Sequence, residues 1–201
     1  MGTQVRKRLS SKKRRQQLLV AAIDMFAERG LGEAKHADIA RRVKTSIPTT
    51  FVYFPTREDL LADVGDEIGL FFLGVFDGVI AEKGHAPDVL KQLAARMMMA
   101  MDSHPSYIRV WLGWSTRFDT VTRAQYLKYQ EKYLSRLSEL LWASEDNVSQ
   151  ENRDDARILL SATQALALMK IDGEPAEKIE RFTEHTIEVL NAYWRAQGRK
   201  I

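Results

Sequence analysis

Seven of the ten residues from Arg6 to Arg15, "RKRLSSKKRR", are Lys or Arg. A block of that kind attracts polyanions, and the phosphates of nucleic acid are the natural target. Further along, "HADIARRVKTSIPTTFVYFPTREDL" (His36 to Leu60) holds a second set of groups at helical spacing. Thr49 offers a hydroxyl, Ile47 and Val52 offer methyl groups, and Tyr53 a phenol. Hydroxyls bond base edges or phosphates, and apolar side chains pack on thymine methyls.

Other chemistries lack their parts. The chain has no Cys, so disulfides and thiolate metal sites are absent. His36, His85, His104 and His185 are scattered, with no His-x-x-x-His spacing. Gly113-Trp114-Ser115 is no nucleophile elbow, because Gly-x-Ser-x-Gly is missing. Gly30-x-Gly32 follows a helical pattern rather than a strand and lacks the third Gly of a dinucleotide loop. No catalytic residue, metal or cofactor is expected.

The charge is unevenly placed. Among 201 residues with a net charge of +3, residues 1–60 carry 13 Lys or Arg against 6 Asp or Glu, while the remainder carry 17 against 21. The basic excess therefore sits at one end. No secretory signal is visible, and the most apolar run, Gly69 to Phe76, is far short of the ~20 residues needed to cross a bilayer. The expectation is a cytoplasmic protein with no membrane partner.

The elements that must position these groups are helices. Leu18, Leu19, Ala22, Ile23, Phe26 and Ala27 form one stripe, stopped by Gly30. Two short apolar rhythms follow, separated by Lys44-Thr45-Ser46. Each is about two turns, too short to stand alone in water. Ile39, Ala40 and Val43 give the first an apolar face. Ser46 caps the second, with Pro48 tolerated in its first turn. Phe51 and Phe54 are placed to anchor it on the first helix and on the Leu19/Phe26 face. Thr56 to Asp59 reads as a capping-box-like start for a long helix towards Ile80. Three further helices follow, over "APDVLKQLAARMMMAMD", "HPSYIRVWLGWS" and "VTRAQYLKYQEKYLSRLSELLWASE". The last two, Asn152 to Ile171 and Pro175 to Arg195, are joined by a short connection and form an antiparallel hairpin. The class is all-α with about nine helices: a basic arm (1–15), a helix-turn-helix domain (16–55) and a larger helical bundle (56–201).

A paired set of short helices beside a basic arm suits duplex DNA, with the second helix presenting its N-terminal turn to the major groove. Plain packing of two short helices is the structural alternative. One short reading helix covers too few base pairs for specificity, so two copies on a two-fold axis are expected. Leu159, Leu166, Met169, Phe182 and Leu190 on the final hairpin are the candidate dimer interface, unless these stripes only pack on their own core.

This order of elements resembles the TetR family of transcription regulators. "RKRLSSKKR" (Arg6 to Arg14), "FAERGLG" (Phe26 to Gly32), "HADIA", "YFPTREDL" and "VWLGWS" (Val110 to Ser115) are similar to the LuxR/HapR/SmcR-type quorum-sensing master regulators within it. The resemblance implies that Arg6 and Arg8 enter a minor groove. It also implies that Ser46, Thr49, Val52, Tyr53 and Arg57 stand at DNA-contacting positions, and that a four-helix bundle joins two chains. Val52 replaces the Asn of the family's "FNYF", and Lys44 and Pro48 also depart, so the operator sequence does not transfer.

The second half carries Met97, Met98, Met99 and Met101, then Trp111 and Trp114 one turn apart, then Gln130. Met leaves adaptable space. Phe72, Met97, Trp111, Trp114 and Gln130 are the candidate pocket for a small apolar or aromatic effector, with ordinary core packing as the alternative. The rival to the whole reading is a basic protein that binds RNA, non-specific nucleic acid or a membrane surface through its arm alone.

Overall fold

The computed structural model describes residues 10–79, 86–142 and 150–199. Among these, nine α-helices and no strand are found: α1 (Ser11–Arg29), α2 (His36–Arg42), α3 (Ile47–Tyr53), α4 (Arg57–Asp77), α5 (Ala86–Ser103), α6 (Pro105–Ser115), α7 (Thr120–Leu141), α8 (Gln150–Ile171) and α9 (Ala176–Ala196). No described helix is long and apolar enough to cross a membrane.

Local signals set most of the boundaries. The Ser10 hydroxyl accepts from the Lys13 amide at 3.4 Å, so α1 begins inside the basic block rather than after Arg15. Gly30, at φ 87°, ends it in a conformation that suits glycine. Thr56 and Asp59 form a reciprocal capping box at the start of α4, each accepting the other's amide at 3.0 Å. Asp thus serves where Glu or Gln is usual. The helix ends at Asp77, earlier than the expected Ile80. Gly173, at φ 74°, turns α8 into α9.

α4 is the spine between the two halves, and it lies flush on α7. A Cβ placed on Gly69 would sit 2.3 Å from the Tyr129 ring, so only hydrogen fits there. Polar contacts run along the same seam. Tyr129 donates its hydroxyl proton to Asp66 at 3.0 Å, Gln125 donates to the Ala62 carbonyl at 2.6 Å, and Tyr133 reaches the Gly69 carbonyl at 3.3 Å. Burial beneath its neighbours pushes the Tyr129 phenol up to about 12, with the Asp66 carboxylate adding to the shift. It therefore stays protonated and donating at neutral pH. Below the seam, Phe72, Phe76, Trp111, Trp114, Tyr126 and Tyr133 form an aromatic core shared by α4, α6 and α7.

The far end of the bundle is closed by a buried ionic knot. Asp155 on α8 accepts from Trp194 at 2.9 Å and from Arg199 at 2.7 Å. The Arg199 guanidinium also donates to Asn152 and lies 3.4 Å over the centre of the Trp142 ring. This pins the end of α7, the start of α8 and the end of α9 together.

Candidate nucleic-acid interface

α2 and α3 cannot persist alone, and their stability comes from three anchors. Phe54, at the C-terminal cap of α3, is wholly buried, which contributes on the order of 1.5–3 kcal/mol. His36, at the start of α2, sits 2.9 Å from the Phe54 carbonyl through Nε2. Its ring stacks on Phe51 with centroids 4.3 Å apart. Phe51 itself is largely exposed, so the expected Phe51/Phe54 pair divides: one ring is the anchor and the other a lid on His36. Asp38, in the first turn of α2, has a local role too. It accepts from the Lys35 amide at 3.1 Å and pairs with Arg29 at 3.2 Å. These partners, the Lys35 amide foremost, lower its pKa below the usual carboxylate value.

The turn between the short helices departs from easy backbone geometry. Lys44 has φ 55°, the sole positive-φ non-glycine residue among the described residues. The Thr45 amide reaches back to the Ala40 carbonyl at 2.9 Å, a Schellman-type closure that ordinarily takes Gly at this place. Holding a side chain there costs about 1–2 kcal/mol. The strain places an exposed ammonium beside the start of α3. We expect Lys44→Gly to raise unfolding stability by about 1 kcal/mol while weakening duplex binding and reducing its salt slope by about 0.9. Paired melts and salt titrations check the two opposite signs, and a variant that is both stabler and tighter-binding would remove Lys44 from the interface.

α3 shows what a reading helix needs. Ser46 caps it by accepting the Thr49 amide at 3.3 Å, and the two hydroxyls lie 2.7 Å apart. Val52 is 76% exposed, and Ile47 and Phe51 are about half exposed, although all three are apolar. Tyr53 and Thr49 are half-buried. Of the expected exposed set, Ile47 and Val52 are exposed, Thr49 and Tyr53 are only partly so, and Phe51 joins them. Thr50 is buried on the opposite side, its hydroxyl without a partner.

Further cations gather at the start of α1. Lys12, Lys13 and Arg14 stand at the first turns of α1, which holds no acidic residue there. Positive charge at a helix N-terminus opposes the macrodipole by roughly 0.3–1 kcal/mol each. Phosphates against that end would relieve it. Two expected arginines are committed elsewhere. Arg15 pairs with Asp63 on α4 and lies 5.5 Å over the Phe54 ring. Arg57 donates to the carbonyls of Ala34, at 2.7 Å, and Leu31. It braces the α1–α2 loop against α4, a structural task beside the DNA contact that the resemblance implies. An arginine in the first turn of a helix was the missed signal, being unfavourable there unless it has another task. Arg6 and Arg8 lie outside the described residues.

The other expected sites fare unevenly. Phe72, Trp111 and Trp114 are buried core residues. The Phe72 and Trp111 rings meet at 4.8 Å, and Trp114 donates to the Thr122 carbonyl at 3.1 Å. Gln130 donates to the Tyr126 hydroxyl at 3.4 Å. Met97 alone of the five borders a cavity, of about 50 Å³, with Phe76, Leu90, Leu137 and Leu166 among its walls. That space is far below the ~300 Å³ of a typical ligand site. The Trp111 indole nitrogen is buried without an acceptor, the one loose end in this core region. On the final hairpin, Leu166 and Leu190 are 6% and 4% exposed within the single chain, so they belong to its own core. Leu159, Met169 and Phe182 are half-buried. The apolar groups that α8 and α9 leave uncovered are Ile158, Leu168, Val189 and Tyr193.

A short capped helix with an exposed face, packed on a second short helix through a buried ring, has the form of a helix-turn-helix. Residues 18–64 match the bacterial regulatory proteins of the tetR family, and the chain belongs to that family of DNA-binding transcriptional regulators. It is 34% identical over 140 residues to the HTH-type transcriptional regulator LuxR of Vibrio harveyi, covering 66% of this chain and 68% of LuxR. In fold it is similar to a transcriptional regulator from Rhodococcus sp. RHA1, with a TM-score of 0.76, 20% identity and coverage of 93% and 98% of the two chains. It is also similar to FadR of Bacillus subtilis, solved in complex with stearoyl-CoA, with a TM-score of 0.70, 17% identity and coverage of 87% and 96%. These relatives are regulators rather than enzymes.

Proposed function

We propose that the chain regulates transcription as a homodimer that reads a near-palindromic operator, in the manner of quorum-sensing master regulators. The observation that carries this is the α3 face, where the apolar Ile47, Phe51 and Val52 stand exposed on a helix capped by the Ser46 hydroxyl and preceded by the exposed Lys44. Exposed apolar groups along a reading helix can be covered by thymine methyls. Arg6 and Arg8 extend the contact into the adjacent minor groove, and Ser46, Thr49 and Tyr53 add polar contacts. Residues 16–55 form the reading part and residues 56–201 the self-associating part, with Arg57 joining them. The quorum-sensing assignment is supported by the identity to LuxR and by the motifs shared with that branch.

Two-fold pairing through Ile158, Leu168, Val189 and Tyr193 would place the two reading helices on one side of the dimer. A small apolar effector is supported by FadR's complex, by Met97 at the cavity edge and by the unpartnered Trp111 nitrogen. Filling that space requires core side chains to part, and the ligand acts by its differential affinity for the opened state.

Selection of bound sequences from a random duplex pool tests the reading. The expected result is one motif with two-fold symmetry, half-sites ~34 Å or a small multiple apart, bound ~10³ or more above random duplex at physiological salt. Equal competition by random duplex, RNA or anionic vesicles would make the basic arm the whole of the interaction.

A further inference from the structure

α5 and α9 diverge to leave an open groove of about 840 Å³, separate from the aromatic core. Its floor is apolar, with Ala94 and Met98 on α5 and Ile179 and Ile187 on α9. One wall is acidic. Glu180, Glu184 and Glu188 recur every four residues along α9, and Glu174 stands at the end. Against these four carboxylates the lining offers two ammonium groups, those of Lys91 and Lys170. Lys170 is already held by Asp102 at 2.7 Å, and Glu174 by Lys178 at 2.7 Å. Among the described residues no ion pair neutralises Glu180, Glu184 or Glu188.

The helix repeat decides what kind of cation suits such a wall. Four residues advance about 6 Å along the axis, so the three carboxylates form a row at that spacing. Among the described residues no group of three acidic or imidazole side chains is close enough to hold a metal. A chain of four methylenes between two amines also spans about 6 Å, five bonds of roughly 1.5 Å in zigzag. We infer that this groove binds a linear aliphatic polyamine, its ammonium groups on Glu180, Glu184 and Glu188 and its methylenes on the Met98 and Ile187 floor. Methionine adapts to such a flexible chain. The exposed Val189 and Tyr193 lie on the other flank of α9, so a dimer formed there leaves the groove open.

Calorimetric titration of the full chain with spermidine, in the absence of DNA, tests the assignment independently of operator recognition. The expected result is one spermidine per chain. Its affinity falls about tenfold or more in Glu184→Gln/Glu188→Gln, as loss of charge-assisted bonds requires, and stays unchanged in Glu33→Gln on the α1–α2 loop. Magnesium at equal charge concentration should not displace it, and a diamine with two methylenes should bind more weakly. Four outcomes overturn the proposal: no saturable binding, equal binding to the double variant, displacement by magnesium, or tighter binding of a peptide spanning Arg6 to Arg15 at the same carboxylates. The last would assign the groove to a basic arm instead. Circular dichroism of the double variant separates lost binding from lost fold.

Discussion

Val52→Glu should severely weaken operator binding without disturbing the fold. The side chain is 76% exposed, so a carboxylate there meets water in the free protein, and Glu suits a helix better than Val. The change in unfolding stability should stay within about 0.5 kcal/mol. In the complex the same carboxylate faces phosphates and the floor of the major groove, where it loses both the methyl contact and its water. We expect a fall in affinity of roughly 100-fold, about 2.8 kcal/mol. Phe54→Ala supplies the contrast. Phe54 is wholly buried, and its truncation should cost about 3–5 kcal/mol of stability, with binding lost only as the short helices come apart. Fluorescence anisotropy on the selected operator, alongside thermal melts, separates the two. Unaltered binding by Val52→Glu would mean that α3 does not enter the groove.

The second large effect concerns self-association. Leu168→Glu/Val189→Glu puts two charges on the apolar face that the single chain leaves open, and sedimentation should then show monomers. Operator affinity should drop by about 10²–10⁴, the avidity gained by linking two binding sites. Leu190→Glu, one residue away, should behave differently. Leu190 is inside the chain's own core, so a carboxylate there unfolds the protein rather than dissociating it. A dimer that survives the double substitution would place the interface on another face, and a folded monomer from Leu190→Glu would return that residue to the interface.

The helices themselves were legible because periodicity, caps and prolines act within one or two turns. Ser46, Thr56, Gly30 and Pro105 mark starts and stops that depend on nothing distant. The outward side of α3 was legible for the same reason, since a seven-residue helix with one buried ring fixes which side faces solvent. Facts that depend on a second element were not. Phe51 and Phe54 are equivalent by spacing, and the His36 ring decides between them. Leu166 and Leu190 carry the right periodicity for an interface, but α5 and α7 already cover that stripe and leave the neighbouring one to solvent. Trp111 and Trp114 fill space rather than enclose it, and aromatic composition cannot distinguish those uses. Lys44 was noticed as a departure from the family, while its left-handed backbone is visible only in three dimensions.

Arg57 belongs by sequence to the helix that leads away from DNA, yet its guanidinium grips carbonyls of the loop that leads into α2. Modular exchange between relatives is constrained accordingly. A chimera spliced at residue 55 would pair a borrowed head with a foreign clasp, and the graft would lose its orientation even with every operator-reading residue retained. Heads should transfer between family members as working units only when the splice falls beyond Arg57, so that clasp and loop are inherited together.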